Sequence, residues 1–257
     1  MVTFIDTLLP HQLSPAVSFL LIAVSVATSA LTAAIGLGGG IALIAVMANV
    51  MPVAALVPVH GVIQFGSNFS RALVLIRHID WSILGWFAAG AVCGAALGGS
   101  VAVTLPAPYL RLGIACFVLW TVWGKPPKLE RARKPAIAAA GFVATLLSMF
   151  FGAAGPVGAS VLSTLGLTRH QFVASQGATA LLMHLMKIIA FGLLGFAFAP
   201  WLGLIVLMII SGFFGTLFGS RLLGRMQEAT FKKGFKLILT LLALNLLRQA
   251  GEALFFS

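Results

Sequence analysis

The chain has 257 residues, 60% of them hydrophobic and only 8% charged, with a mean hydropathy of +1.10. This excludes a water-soluble globular domain and points to an all-α polytopic membrane protein. A net charge of +11 would suit nucleic acid in a soluble protein. Here most Lys and Arg fall in short connections between apolar runs, where they set orientation instead.

In chain order the apolar segments run at about 14–35, 41–50, 52–76, 82–103, 108–124, 136–152, 157–167, 168–194, 200–222 and 231–248. The N-terminal Met-Val-Thr-Phe-Ile-Asp has no basic stretch, so no cleaved signal peptide is expected. Segments 41–50 and 157–167 are too short to span, since ten helical residues cover about 15 Å of a ~30 Å hydrocarbon core. Each follows a glycine-rich break, Gly36-Leu-Gly38-Gly39-Gly40 in the first half and Gly152-Ala-Ala-Gly155-Pro156 in the second. Glycine permits the non-helical dihedrals a break needs, and Pro156 suits a first helical turn. Each pair therefore reads as a broken helix or re-entrant hairpin reaching mid-membrane. The break at 36–40 is not a nucleotide loop. No Lys-Ser/Thr follows it as a P-loop needs, and Ile41 stands where GxGxxG requires its last glycine.

The two halves repeat. Gly36 and Gly39 align with Gly152 and Gly155 at an offset of 116 residues. After an insertion of about five residues, Gly94, Gly98 and Gly113 align with Gly215, Gly219 and Gly234. The pairs Gly94/Gly98 and Gly215/Gly219 suit close helix packing. The halves are expected at 1–124 and 136–257, joined by a basic connection at 125–135.

Polar residues punctuate the segment after each break. His60, Gln64, Asn68 and Arg71 recur at spacings of four, four and three, on one helical face. The second half answers with Gln176, Thr179, His184 and Lys187, and at the same offset Arg71 falls on Lys187. A cation buried in lipid is costly and normally faces a protein or water-filled interior. Arg71 and Lys187 read either as cations at the two mouths of an anion path or as snorkelling anchors. The histidines read as interhelical hydrogen-bonding groups, oxyanion donors or proton carriers.

All five acids, Asp6, Asp80, Glu130, Glu228 and Glu252, lie at segment ends or in connections. That argues against a carboxylate proton relay and against a cation or metal carrier. Cys93 and Cys116 fall in separate apolar segments, and no metal-ligand spacing occurs. An embedded enzyme is disfavoured, since the spans hold no nucleophile–base set.

Charge orients the repeats. The basic connections are 125–134, the stretch carrying Arg221, Arg225, Lys232, Lys233 and Lys236, and those marked by Arg77 and Arg169. All four become cytoplasmic if each broken pair returns to its starting side. Each half then crosses three more times, an odd number, which makes the repeats inverted. Arg111 runs against this trend. Inverted halves bring the N-termini of the two short helices together at mid-membrane. Their free N–H groups would form an anion site from Gly38, Gly39, Gly40 and Gly155.

GLGGG at 36–40, RHIDW at 77–81, GAALG at 94–98, LPAPYLRLG at 105–113 and GAAGP at 152–156, in this order across nearly the whole chain, resemble the sulfite exporter TauE/SafE family. The sequence departs from that family's pattern at Ile44-Ala45, where a proline is expected in the short helix. The resemblance implies a secondary transporter of sulfite or an organosulfonate such as sulfoacetate, in a bacterial inner membrane.

The combined expectation is two inverted repeats, each a broken helix or re-entrant hairpin plus three transmembrane helices. Its substrate-binding residues are Gly38, Gly39, Gly40, His60, Gln64, Asn68, Arg71, Gly155, Gln176, Thr179, His184 and Lys187. Expected partners are a small anionic substrate and membrane lipid, with no nucleic acid and no cofactor; a homodimer is an open option. Transport of another small anion, or service as a membrane scaffold or partner subunit, are the alternatives. Single cysteines at Arg131, Arg169 and Arg225, in a background lacking Cys93 and Cys116, should react with impermeant thiol reagents from one membrane face. A cysteine at Ala199 should react from the other. Labelling of positions 131 and 225 from opposite faces would sink the inverted topology.

Overall fold

The computed structural model describes residues 9–35, 38–102, 104–124, 134–222 and 228–255. Gly36 and most of the 125–135 connection lie outside these. The first half holds α1 (Pro15–Ile35), α2 (Gly39–Val50), α3 (Val53–Val74), α4 (Trp81–Ala102) and α5 (Ala107–Trp123). The second holds α6 (Lys134–Phe151), α7 (Gly155–Leu162), α8 (Arg169–Leu193), α9 (Leu202–Leu222) and α10 (Glu228–Phe255). Two single 3₁₀ turns, Ile76–His78 and Ala199–Trp201, are the other regular elements among the described residues.

Every apolar segment is a helix, punctuated where the sequence offers start and stop signals. Thr168 and Gln171 form a reciprocal capping box at the start of α8. Asp80 Oδ1 accepts from the Ser82 and Ile83 N–H groups at the start of α4. The ends differ from the hydropathy limits for physical reasons. α10 extends well past 231–248 because its extra turns keep polar groups outside, as in the Arg248–Glu252 pair at 2.6 Å. α7 stops at Leu162, short of residue 167, where Ser163 and Thr164 hydroxyls donate to the Ser160 and Val161 carbonyls. Gly166 then turns the chain with φ +68°.

Six helices, α1, α4, α6, α8, α9 and α10, contain stretches long and apolar enough to cross a bilayer. The chain is a multi-pass membrane protein. At 12 and 8 residues, α2 and α7 reach only about 18 and 12 Å. The first leg of each broken pair is thus of full spanning length, and only its partner falls short. The outer surface carries apolar side chains such as Phe19, Leu97, Phe213 and Leu241, about half exposed, as a lipid-facing surface requires. Inside, Ile44, Met47 and Leu56 of the first half share one core with Leu204, Met208 and Leu246 of the second.

Close packing crosses between the halves. α4 lies along α6, and α9 along α1, with glycine at the contacts. A side chain on Gly90 would strike the Ala138 carbonyl, one on Gly94 the Phe142 carbonyl, and one on Gly141 the Phe87 carbonyl. The second pair uses matching positions. Ser211 Oγ donates to the Ile22 carbonyl at 3.1 Å, Gly215 faces the Val26 carbonyl, and Ser25 Oγ donates to the Met208 carbonyl at 2.7 Å. Gly94 and Gly215 are packing residues, as the sequence suggested.

α3 and α8 run antiparallel, side by side at the centre. His60 meets His184 near one end of the contact, and the Asp80 N–H donates to Ser175 Oγ at the other. α5 and α10 also pair, with Trp123 Nε1 donating to Thr240 Oγ1 at 2.9 Å.

Gly94→Leu and Gly215→Leu should each destabilise the folded protein by about 1–3 kcal/mol or more through overpacking. Gly85→Leu, where an added side chain meets nothing within 4 Å, should leave the thermal midpoint in detergent unchanged. Equal midpoints for all three variants would show that the glycine contacts do not hold the helices together.

Candidate functional site

The two breaks meet at one cavity. After α1 the chain turns at Gly38, whose φ of +101° only glycine adopts readily. Gly39 opens α2 with its α-carbon pressed against the Thr28 carbonyl and the Thr32 hydroxyl. In the second half Gly152 turns with φ +75°, and α7 begins at Gly155 with Pro156 in its first turn.

Between the breaks lies a cavity of about 60 Å³, room for a few waters or one small polyatomic ion. From the first half it is walled by Thr32, Gly38, Gly40 and Ile41, and by His60, Gln64 and Asn68 of α3. From the second half it is walled by 153–156 at the break and by Gln176, Ala180, Met183 and His184 of α8. The starts of two helices and one face each of α3 and α8 share a single space.

The polar groups are held in a defined arrangement. His60 is fully buried, and its Nε2–H donates to the Gly40 carbonyl at 3.0 Å. Its other ring nitrogen, Nδ1, is buried with no partner. Asn68 Nδ2 donates to the Gln64 carbonyl at 2.8 Å, and Thr179 Oγ1 donates to the Gln176 carbonyl at 3.1 Å. The His60 and His184 rings stand 6.0 Å apart, edge to face. Lys187 Nζ donates to the Gly152 carbonyl at 2.6 Å and lies 3.4 Å from His184 Nδ1.

Eight of the twelve expected residues line this cavity: Gly38, Gly40, His60, Gln64, Asn68, Gly155, Gln176 and His184. Gly39 sits behind the lining, packed on α1. Thr179 lines a smaller void beside the cavity, together with Gly155 and Gln176. Arg71 follows Asn68 on α3 by three residues, and its side chain lies outside the described residues. Lys187 corrects the expectation of a cation at a mouth, because it is fully buried. The physical reason is the break itself. Interrupting a helix inside the bundle frees the Gly152 carbonyl where water is scarce, and Lys187 supplies the missing donor. Gly61 makes room for its stem, since a Cβ there would lie 2.8 Å from Lys187 Cδ.

Thr32, Ile41, Ala180 and Met183 also line the cavity and were not anticipated. Thr32 had a signal. At the 116-residue offset it falls on Ser148, so each break is preceded by a hydroxyl about one turn earlier. Ser148 Oγ lies 3.4 Å from the Gly152 carbonyl.

The lining offers donors and no carboxylate. Two imidazoles, the Gln64, Asn68 and Gln176 amides and the Thr32 hydroxyl surround it. In the first turn of α2 the N–H groups of Gly39, Gly40 and Ile41 have no acceptor four residues back within the helix. In α7 Pro156 has no N–H and that of Val157 donates to the Ala154 carbonyl at 3.1 Å, which leaves that of Gly155. Among the described residues no group of three His, Cys, Asp or Glu is placed to hold a metal. The Gln64, Asn68 and Gln176 amides therefore offer hydrogen-bond donation to a small polar solute, with no carboxylate to repel an anion.

No curated protein and no solved structure matches the chain. The family described as sulfite exporter TauE/SafE matches residues 21–246, so the breaks, the polar faces and both halves all fall inside the match, and the chain belongs to that family.

Proposed function

We propose that this protein carries a small sulfur-containing anion, sulfite or an organosulfonate such as sulfoacetate, out of the cytoplasm across a bacterial inner membrane. The observation that carries this reading is the shared cavity. Two helix N-termini and six polar side chains wall it, and no acid does. Helix N-termini favour anions through oriented N–H groups and the positive end of the helix dipole. In a transporter fold such half-helix starts hold substrate at mid-membrane. We read Gly38, Gly40, Gly155, His60, Gln64, Asn68, Gln176 and His184 as the substrate contacts. Arg71 lies further along α3 as the cation nearest the cytoplasmic mouth.

The halves, 1–124 and 136–257, read as inverted repeats on two supports. The corresponding helices α3 and α8 lie antiparallel. The α4–α6 and α9–α1 contacts use corresponding residues, as in Gly94 against Phe142 and Gly215 against Val26. Export then needs no carboxylate relay. An inside-negative potential favours anion exit by about 2.3 kcal/mol per charge per 100 mV. We read the chain as a carrier rather than an enzyme.

A thermal-shift panel of sulfite, sulfate, thiosulfate, sulfoacetate and taurine on purified protein tests the reading. Sulfite or a sulfonate should stabilise the protein, and a panel without any stabilising anion would sink it. A hydrogen bond to a charged group contributes about 1.5–3 kcal/mol. Gln64→Leu and Gln176→Leu should therefore each weaken binding of the stabilising anion by about tenfold or more while the variants stay monodisperse. Unchanged affinity in both would remove the cavity from the binding role.

Gly40→Val should also abolish binding, because its added carbons would meet the Gln64 amide, 3.3 Å from the Cβ position. Gly39→Val should instead lower stability, since its side chain would strike the α1 backbone. Normal anion affinity in a folded Gly40→Val protein would place the anion elsewhere.

A further inference from the structure

A second, larger cavity lies beyond the first. It measures about 360 Å³ and is apolar, with Val57 and Pro58 of α3, Leu110 of α5, Met149 of α6, Phe191 of α8 and Phe196 among its walls. It sits at the end of the bundle that carries the 104–106 and 194–198 connections. Three elements pass from one cavity to the other within a short distance. On α3 the wall changes from Pro58 to His60, along the α6–α7 break from Met149 to Ala153, and on α8 from Phe191 to His184. At 1.5 Å per helical residue the separation is on the order of 3 Å along α3 and 10 Å along α8.

Between the two sets of lining residues on these elements lies a cluster of contacts. It contains His60, Gly152 and Lys187, with Ile44 pressed beneath Gly152. The charged group in the cluster is Lys187, fully buried, and no carboxylate among the described residues pairs with it. Its ammonium holds the carbonyl of Gly152, a residue in left-handed backbone geometry at the turn into α7. One turn back on α8, His184 lies 3.4 Å from that ammonium and also lines the small cavity. Lys187 therefore stands between a backbone carbonyl and the side chain through which it borders the cavity.

We propose that the two cavities are successive stations of one path, and that Lys187 is the barrier between them. This rests on the reading of the small cavity as an anion site. Nζ bound to the Gly152 carbonyl holds this cluster shut. An anion oxygen in the cavity competes for the same ammonium. When Nζ exchanges the carbonyl for that oxygen, the Gly152 turn is released and the small cavity opens toward the apolar one. The larger cavity, walled by apolar side chains, serves as an exit vestibule. An apolar passage of this kind conducts when wetted and closes when dry.

The test measures access. Ala180, on the wall of the small cavity, and Val57, on the wall of the large one, are each replaced by Cys in a background lacking Cys93 and Cys116. Sulfonatoethyl methanethiosulfonate, a small impermeant anionic reagent, is applied to proteoliposomes from the side of the 194–198 connection. In the parent background Val57→Cys should react and Ala180→Cys should be protected. Lys187→Met should raise the rate at Ala180→Cys at least tenfold and leave Val57→Cys unchanged. Gly61→Ala should raise it in the same direction, because the added methyl displaces the lysine stem while keeping its charge. It also decides the matter if Lys187→Met fails to fold. Rates at Ala180→Cys equal to the parent's in the folded variants would overturn the barrier. Raised rates that sulfite does not slow would instead overturn the anion reading, so the two failures are told apart.

Discussion

Everything distinctive in this structure follows from interrupting two helices inside a bundle where water is scarce. A continuous helix satisfies its own backbone, but a broken one frees carbonyls and N–H groups that must find partners. In each half a basic side chain from the third helix donates to a carbonyl at the break. His60 donates to Gly40, and Lys187 donates to Gly152. A buried acceptor left without a donor costs about 1–3 kcal/mol, so the Lys187 contact helps make the second break tolerable. Beyond the breaks, Gly40 and Ile41 in the first turn of α2 and Gly155 at the start of α7 wall the shared cavity.

Much of this was legible in the amino-acid order because the breaks are written in local chemistry. Gly38 and Gly152 have positive φ, which no other residue type adopts as readily. The face His60–Gln64–Asn68 was readable from helical spacing alone, and all three reach the cavity. What remained hidden depends on which neighbour a residue meets. Lys187 looked like the counterpart of Arg71, because the two align in the repeat. Its structural role pairs instead with that of His60, each holding the carbonyl at its own break. Gly39 and Gly40 are adjacent and alike in sequence, yet one is pressed against α1 and the other faces Gln64. Helix period distinguishes such neighbours only once the direction of the cavity is known.

The division between fixed and adaptable parts also has a simple origin. α4 with α6, and α9 with α1, touch backbone to backbone through glycine, leaving little room for sliding. The central α3–α8 pair meets through side chains, including the His60 and His184 rings and the Lys187 stem, which change rotamer without moving a helix. The polar chemistry is thus gathered on the pair whose contacts are easiest to rearrange.

The crossed packing bears on how the chain is made. When the ribosome has completed α5, the glycine-lined face of α4 and the hydroxyl-bearing face of α1 both lack their partners, which belong to α6 and α9. The tightest helix contacts of α1 and α4 can therefore form only after α9 and α6 have been made. Closure comes late, when α9 docks on α1. Since each half completes the other, two nascent copies held close together have every surface needed to exchange halves, and the short basic link between α5 and α6 is what favours pairing within one chain.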